Sequence, residues 1–144
     1  MVETALTLVP LMSLLLGMVD VGMTVFLKST FQNAVREGVR YAITYQTMPG
    51  MGHDASIKTV VQQYALGFVA PEQIYVEYYD PNNPSTILTG VGSNGPNNIV
   101  EVSIRGYRWG WVVPFLFSNS SLEITASASD RMEGLPAGGS VPPR

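Results

Sequence analysis

The sequence predicts an α+β chain: a long N-terminal hydrophobic helix carrying a small globular head with a short helix and a three- to four-stranded antiparallel sheet. Three observations carry this. Residues 5–27 form an apolar run with a single charge, Asp20. Apolar residues spaced by three and four then continue past Lys28 as far as Gln46. After Met48-Pro49-Gly50, short alternating stretches follow one another, separated by clusters of Gly, Pro and Asn. The chain thus divides into a helix over 1–48 (apolar over 5–27, amphipathic over 28–47), a head over 49–133 and a Gly/Pro-rich tail over 134–144.

The apolar run is long enough for a bilayer, which takes roughly 20 apolar residues as a helix. Fifteen of its side chains are large and apolar, among them Leu6, Leu8, Leu11, Leu14, Leu15, Leu16, Val19 and Phe26. At ~1.5 kcal/mol or more each, leaving them in water would cost over ~20 kcal/mol, more than the ~5–15 kcal/mol that holds a whole domain together. A secretory signal peptide would show a basic n-region and an apolar core of only ~7–15 residues. Here the run is longer, no base precedes it, and the helical pattern continues beyond it. A buried core helix would need the rest of a small chain to wrap it on all sides. The membrane reading prevails.

Asp20 does not block insertion. At the bilayer centre an Asp costs ~2.5–3.5 kcal/mol, against about 4.5–9 kcal/mol from fifteen Leu-like gains. It reads either as an acid near the interface or as a polar contact to a neighbouring helix. The small residues Ala5, Gly17 and Gly22 permit close approach of helices, and Pro10, Gly17 and Gly22 are places for a kink. The first bases, Lys28, Arg36 and Arg40, lie C-terminal to the span, which by the positive-inside rule would make that side cytoplasmic. A β-rich exported head contradicts this, and a basic leader removed before Met1 would resolve the conflict.

Beyond Lys28, Phe31, Ala34, Val35, Val39, Ala42 and Ile43 form one apolar stripe, with Gln32, Arg36, Glu37 and Arg40 opposite. The helix is expected to run from Glu3 to about Thr47 and to stop at Met48-Pro49-Gly50. Asp54–Phe68 reads as a second helix with Ile57, Val60, Val61, Tyr64, Ala65 and Phe68 on one face and Asp54 or Ser56 as its cap. Gln73–Tyr79, Thr86–Thr89, Ile99–Arg105 (extended through Tyr107–Val113) and Leu122–Ala128 read as strands. Asp80-Pro81-Asn82-Asn83-Pro84 reads as a turn, and the tail forms no core element.

No constellation of catalytic residues is present, so an enzyme is not expected. The net charge of -3 gives no footprint for nucleic acid. There is no cysteine, which excludes disulfides and thiolate metal sites. His53, the single histidine, reads as a surface-loop residue, since metal sites need several converging ligands. Ser118, Ser120 and Ser121 lie near no base; Glu72, Glu77 and Asp80 lack calcium-loop spacing. No cofactor or metal is expected. Tyr107, Trp109, Trp111, Phe115 and Phe117 read mainly as core packing around Pro114, and any exposed members as an intersubunit patch. Asn119-Ser120-Ser121 matches the Asn-x-Ser glycosylation pattern at Asn119, with Ser120 a candidate for O-linked modification.

The opening Val2-Glu3-Thr4-Ala5-Leu6, then Pro10 and Gly17-Met18-Val19-Asp20-Val21-Gly22, resembles the start of TadE-like proteins, pilin-like subunits of tight-adherence (Tad) systems. The run Gln32-Asn33-Ala34-Val35-Arg36-Glu37-Gly38-Val39-Arg40-Tyr41-Ala42 is similar to that family's helical block. The layout from Ile99 through Pro114 to Thr125-Ala126-Ser127-Ala128 and Arg131-Met132-Glu133 is similar more weakly. The resemblance implies a pilin-like lollipop, trimmed by a prepilin peptidase and handled by an inner-membrane assembly platform. Its function would be that of a structural subunit of a type IV pilus-like filament serving adhesion or secretion, packed against itself or related pilins and sitting in membrane lipid before assembly. The alternatives are a minor pseudopilin that primes or tips a filament, and a single-pass binding protein that never polymerises. The resemblance also implies that Glu3 pairs with a neighbour's N-terminal amine, which would fix the axial register of helices. The plainer alternative is an acid in the headgroup region. Pilins commonly place that acid at the fifth mature position, so either the cleavage site differs or this numbering starts elsewhere. Asn33, Arg36, Glu37, Gly38, Arg40 and Tyr41 are implied to dock the head or the next subunit, against the plainer reading of Arg36, Glu37 and Arg40 as a solvated face.

Overall fold

The structure is a computed structural model that describes residues 2–111, 121–135 and 139–144, with the backbone alone at Val2 and Ala5. Helix α1 spans Val2–Ile43, 42 residues, or about 63 Å at ~1.5 Å per residue. It continues through Pro10, Gly17 and Gly22. It stops four residues short of Thr47 because Tyr45 adopts a left-handed backbone, φ 56°. The Tyr45 amide closes on the Ala42 carbonyl at 3.1 Å, and the Tyr45 hydroxyl donates to Glu133 O at 3.0 Å. A tertiary contact, not the proline, ends the helix.

Helix α2 covers His53–Tyr64, shorter at its C-terminus than the expected Phe68. Its N-cap is Gly52, not Asp54 or Ser56; the Ser56 hydroxyl donates back to Gly52 O and accepts the Met48 amide. The chain leaves α2 through Leu66 (φ 56°) and Gly67 (φ 73°), both left-handed. A short 3-10 turn, Pro71–Gln73, opens strand β1, Ile74–Asp80. Strand β2, Asn83–Leu88, starts earlier than expected and absorbs part of the predicted turn. It lies at the sheet edge, where Pro84 is tolerated because one side needs no amide donor. Strands β3 (Ile99–Trp109) and β4 (Leu122–Arg131) are long, and their pairing slips between Ile104 and Tyr107, where Gly106 takes φ 76°. The sheet order is β2-β1-β3-β4, antiparallel throughout.

The core lies between α1, α2 and one sheet face. Leu27, Phe31, Ala34, Val35 and Ala42 of α1 are fully buried against Ile57 and Val61 of α2 and Ile74, Tyr78, Val100, Val102 and Ile104 of the sheet. Each large member contributes about 1.5–3 kcal/mol through its removal from water. Tyr107 sets its ring edge-on to Phe31, centroids 4.8 Å apart, and with half-buried Trp109 packs on this core. Phe115, Phe117, Asn119 and Ser120 lie outside the described residues.

The described residues of the tail form no helix or strand, yet the tail is anchored. His53 N donates to Pro143 O at 2.8 Å, Asn94 Nδ2 to Pro142 O at 3.0 Å, and Arg144 reaches Asp54.

Candidate functional site

Two regions gather the side chains with chemistry to offer: the N-terminal half of α1 and a polar cluster at the far end of the head. Along α1, Leu6, Leu8, Leu11, Leu14, Met18, Val21 and Val25 are all exposed. Among the described residues, one helix is long and apolar enough to cross a membrane, Leu6–Ile43, with an 18-residue window of mean hydropathy 1.9. Such a surface in water is far larger than a monomeric protein ordinarily leaves exposed. The side-chain hydroxyls in this half fold back onto the helix: Ser13 onto Val9 O at 2.8 Å and Thr24 onto Asp20 O at 3.0 Å. Such hydroxyls cost little in an apolar medium because their hydrogen bonds are already made.

One stripe of this half is covered. Ser13, Gly17, Met23 and Thr24 are half-buried and Asp20 is fully buried, continuing downward the line of Leu27 and Phe31. Asp20, expected at the membrane interface or against a neighbouring helix, has its surface fully covered within its own chain. The three-and-four spacing of the head-facing stripe explains this, since it passes through position 20. The exposed face holds Glu3, Pro10 and Gly22. A side chain at Gly22 would meet no atom within 4 Å. Glu3 sits in the first turn, where the helix dipole favours an acid.

The Asn33–Tyr41 block divides between two roles. Gly38 is buried at the α1–α2 crossing, and a Cβ there would run into Val61 Cγ2 and touch Val102 Cγ1 at 3.5 Å. Only a residue without a side chain lets the two helices approach this closely. Tyr41 is half-buried against the core; Asn33, Arg36 and Arg40 are exposed and Glu37 is half-buried. The described ion pairs join other residues: Arg105 with Glu77 (2.6 Å) and Glu101 (3.5 Å) on the outer sheet face, and Arg144 with Asp54. The Glu77 hydrogen bond, with the acids' charge, raises the Arg105 pKa.

His53, expected on a surface loop, is fully buried. Its Nδ1 faces the Tyr78 hydroxyl at 3.2 Å and Asn94 Nδ2 at 3.4 Å, and its ring stacks on Tyr45. Tyr78 donates to Asp54 Oδ1 at 2.9 Å. Arg144 donates from Nε to Asp54 Oδ2 at 2.9 Å, lies over the Tyr78 ring at 4.7 Å, and also meets Gly90 O and Ser93 Oγ. Gly52 makes room, since a Cβ there would stand 2.7 Å from the Arg144 carbonyl carbon. Burial lowers the His53 pKa, opposed by the Asp54 charge and the Ala42 carbonyl. Burial and the Asp54 carboxylate push the Tyr78 hydroxyl far up. Burial thus favours the neutral form of both rings, and the cluster acts as a clasp that ties tail, α2 and β1 together. Nothing local in the sequence announces it, because its partners come from four separate stretches.

An exposed apolar rod on an α+β head defines a lollipop-shaped class of chain whose helix is long and apolar enough to cross a membrane. Within that class, residues 1–40 of the 144 match the family model described as TadE-like protein. The match falls on α1 and includes Glu3, Asp20 and most of the Asn33–Tyr41 block. No curated protein and no solved structure matches the chain.

Proposed function

We propose that this chain is a structural subunit of an extracellular type IV pilus-like filament of the Tad kind, serving adhesion or secretion. The observation that carries the reading is the exposed apolar face of α1, from Leu6 to Phe26, on a chain whose N-terminal 40 residues are TadE-like. Before assembly the rod sits in the inner membrane with the head exported, where a prepilin peptidase and an assembly platform act on it. During assembly the rod exchanges lipid for the rods of other copies or related pilins. Lipid tails are as apolar as Leu, so association in that setting draws on close packing and polar contacts. Gly22, with open space above it, offers the close approach, and Glu3 offers a polar contact to a neighbour's amine.

The test is to shear filaments from cells and weigh their composition. This reading predicts that the chain forms the main mass of the sheared fibres. A trace amount assigns it to the minor pseudopilin that primes or tips a filament. Recovery in the membrane fraction alone assigns it to a single-pass binding protein and contradicts the proposal.

A further inference from the structure

Helix α2 runs antiparallel to α1, with His53 near Ala42 and Tyr64 facing the lower part of α1. Its exit turn therefore points back toward the apolar half. An open groove of about 920 Å³ lies between the two, lined by Val25, Phe26, Lys28, Arg36, Tyr64 and Leu66 among others. Tyr64, Leu66 and Phe68 are exposed, Leu66 at 63%. Leu66 also holds a left-handed backbone, φ 56°, a conformation that costs a non-glycine residue about 1–2 kcal/mol. An exposed leucine held in a strained turn calls for a partner surface.

The level of this turn identifies the partner. From Ala5 to Leu27 the rod is about 34 Å long at ~1.5 Å per residue, close to the ~30 Å hydrocarbon thickness. Lys28 then falls at the headgroup layer, and the groove places Tyr64 and Leu66 beside it. The groove lining contains two bases, Lys28 and Arg36, and no acid, which suits lipid phosphates. Its apolar side continues the exposed surface of α1 without a break through Val25 and Phe26. Tyr settles at a membrane interface, and nearby Lys and Arg reach their charges to it.

We propose that the Tyr64–Phe68 turn and the adjoining groove are a foot that rests in the interfacial layer of the membrane, with Lys28 and Arg36 facing lipid phosphates. The foot rests on the membrane-anchored reading but not on filament formation. It fixes the tilt and rotation of the head before assembly.

The chain has no cysteine, so a single engineered thiol carries an environment-sensitive dye without ambiguity. Full-length Leu66→Cys, Leu14→Cys and Val91→Cys chains are reconstituted into phosphatidylcholine vesicles containing phosphatidylglycerol. Leu14 reports insertion of the rod, and Val91, fully exposed beside the clasp at the far end of the head, reports water. The foot predicts a blue-shifted, iodide-shielded dye at 66, intermediate between 14 and 91, that persists as protein is diluted in lipid. Adding Lys28→Glu and Arg36→Glu should weaken the shielding at 66 while leaving that at 14 unchanged. A dye at 66 as wet as that at 91, with 14 inserted, overturns the foot. Shielding seen only at high protein density overturns it in favour of a second copy, and shielding indifferent to the charge reversals overturns the phosphate contacts. A wet dye at 14 refutes the anchor itself.

Discussion

At the scale of single residues, the clasp around Arg144 makes the sharpest predictions. Arg144 and Asp54 keep only about a quarter of their side-chain surfaces exposed, at 26% and 23%, so solvent does not screen the pair as it would on an open surface. Arg144→Ala removes the charged hydrogen bonds and leaves Asp54 short of a donor. The expected loss is about 1–3 kcal/mol of head stability, read by thermal unfolding in detergent. The clasp also sets a pH response. The His53 pKa in the fold lies below its ordinary 6.5, so the unfolded chain takes up a proton first as pH falls. Stability is full above about pH 6.5 and declines from there down through the depressed folded value. His53→Gln should flatten that decline when unfolding is compared at neutral and mildly acid pH. None of this was legible in the sequence. A lone histidine beside Gly52 and Asp54 looks like a surface loop, and its partners Tyr78 and Asn94 stand 25 and 41 residues away.

At the scale of elements, periodicity was a reliable guide wherever one face met the core. The spacing of Phe31, Val35, Val39 and Ala42 marks the buried stripe of α1, and the alternation of Val100, Val102 and Ile104 marks the inner face of β3. Boundaries were less legible because tertiary contacts set them. Tyr45 ends α1 by reaching Glu133, and Leu66 ends α2 in a left-handed turn that no glycine signals at that position. The same stripe carries Asp20 inside its own chain, which hydropathy alone could not indicate. The α1–α2 crossing depends on Gly38, which packs against Val61. Gly38→Val should overpack this contact and cost about 1–3 kcal/mol, measured as a lower midpoint in chemical unfolding, with α1 still inserted.

At the scale of the whole molecule, the α+β lollipop was legible because its two halves differ so strongly in charge and periodicity. The packing of one rod on another lies beyond a single chain, and it is here that Gly22 discriminates. Gly22→Leu adds apolar surface, so membrane insertion should be unchanged, while close approach of neighbouring rods is blocked. Sheared filament yield is expected to fall at least ~tenfold, which corresponds to about 1.4 kcal/mol per contact. An unchanged yield would place Gly22 away from any helix contact.

The central claim is that the exposed half of α1 needs lipid or similar rods to cover it. Sedimentation of the purified full-length chain with and without detergent tests this most directly. The account predicts defined particles in detergent and large assemblies or precipitate once detergent is removed. A monodisperse, detergent-free monomer that stays in solution would contradict it.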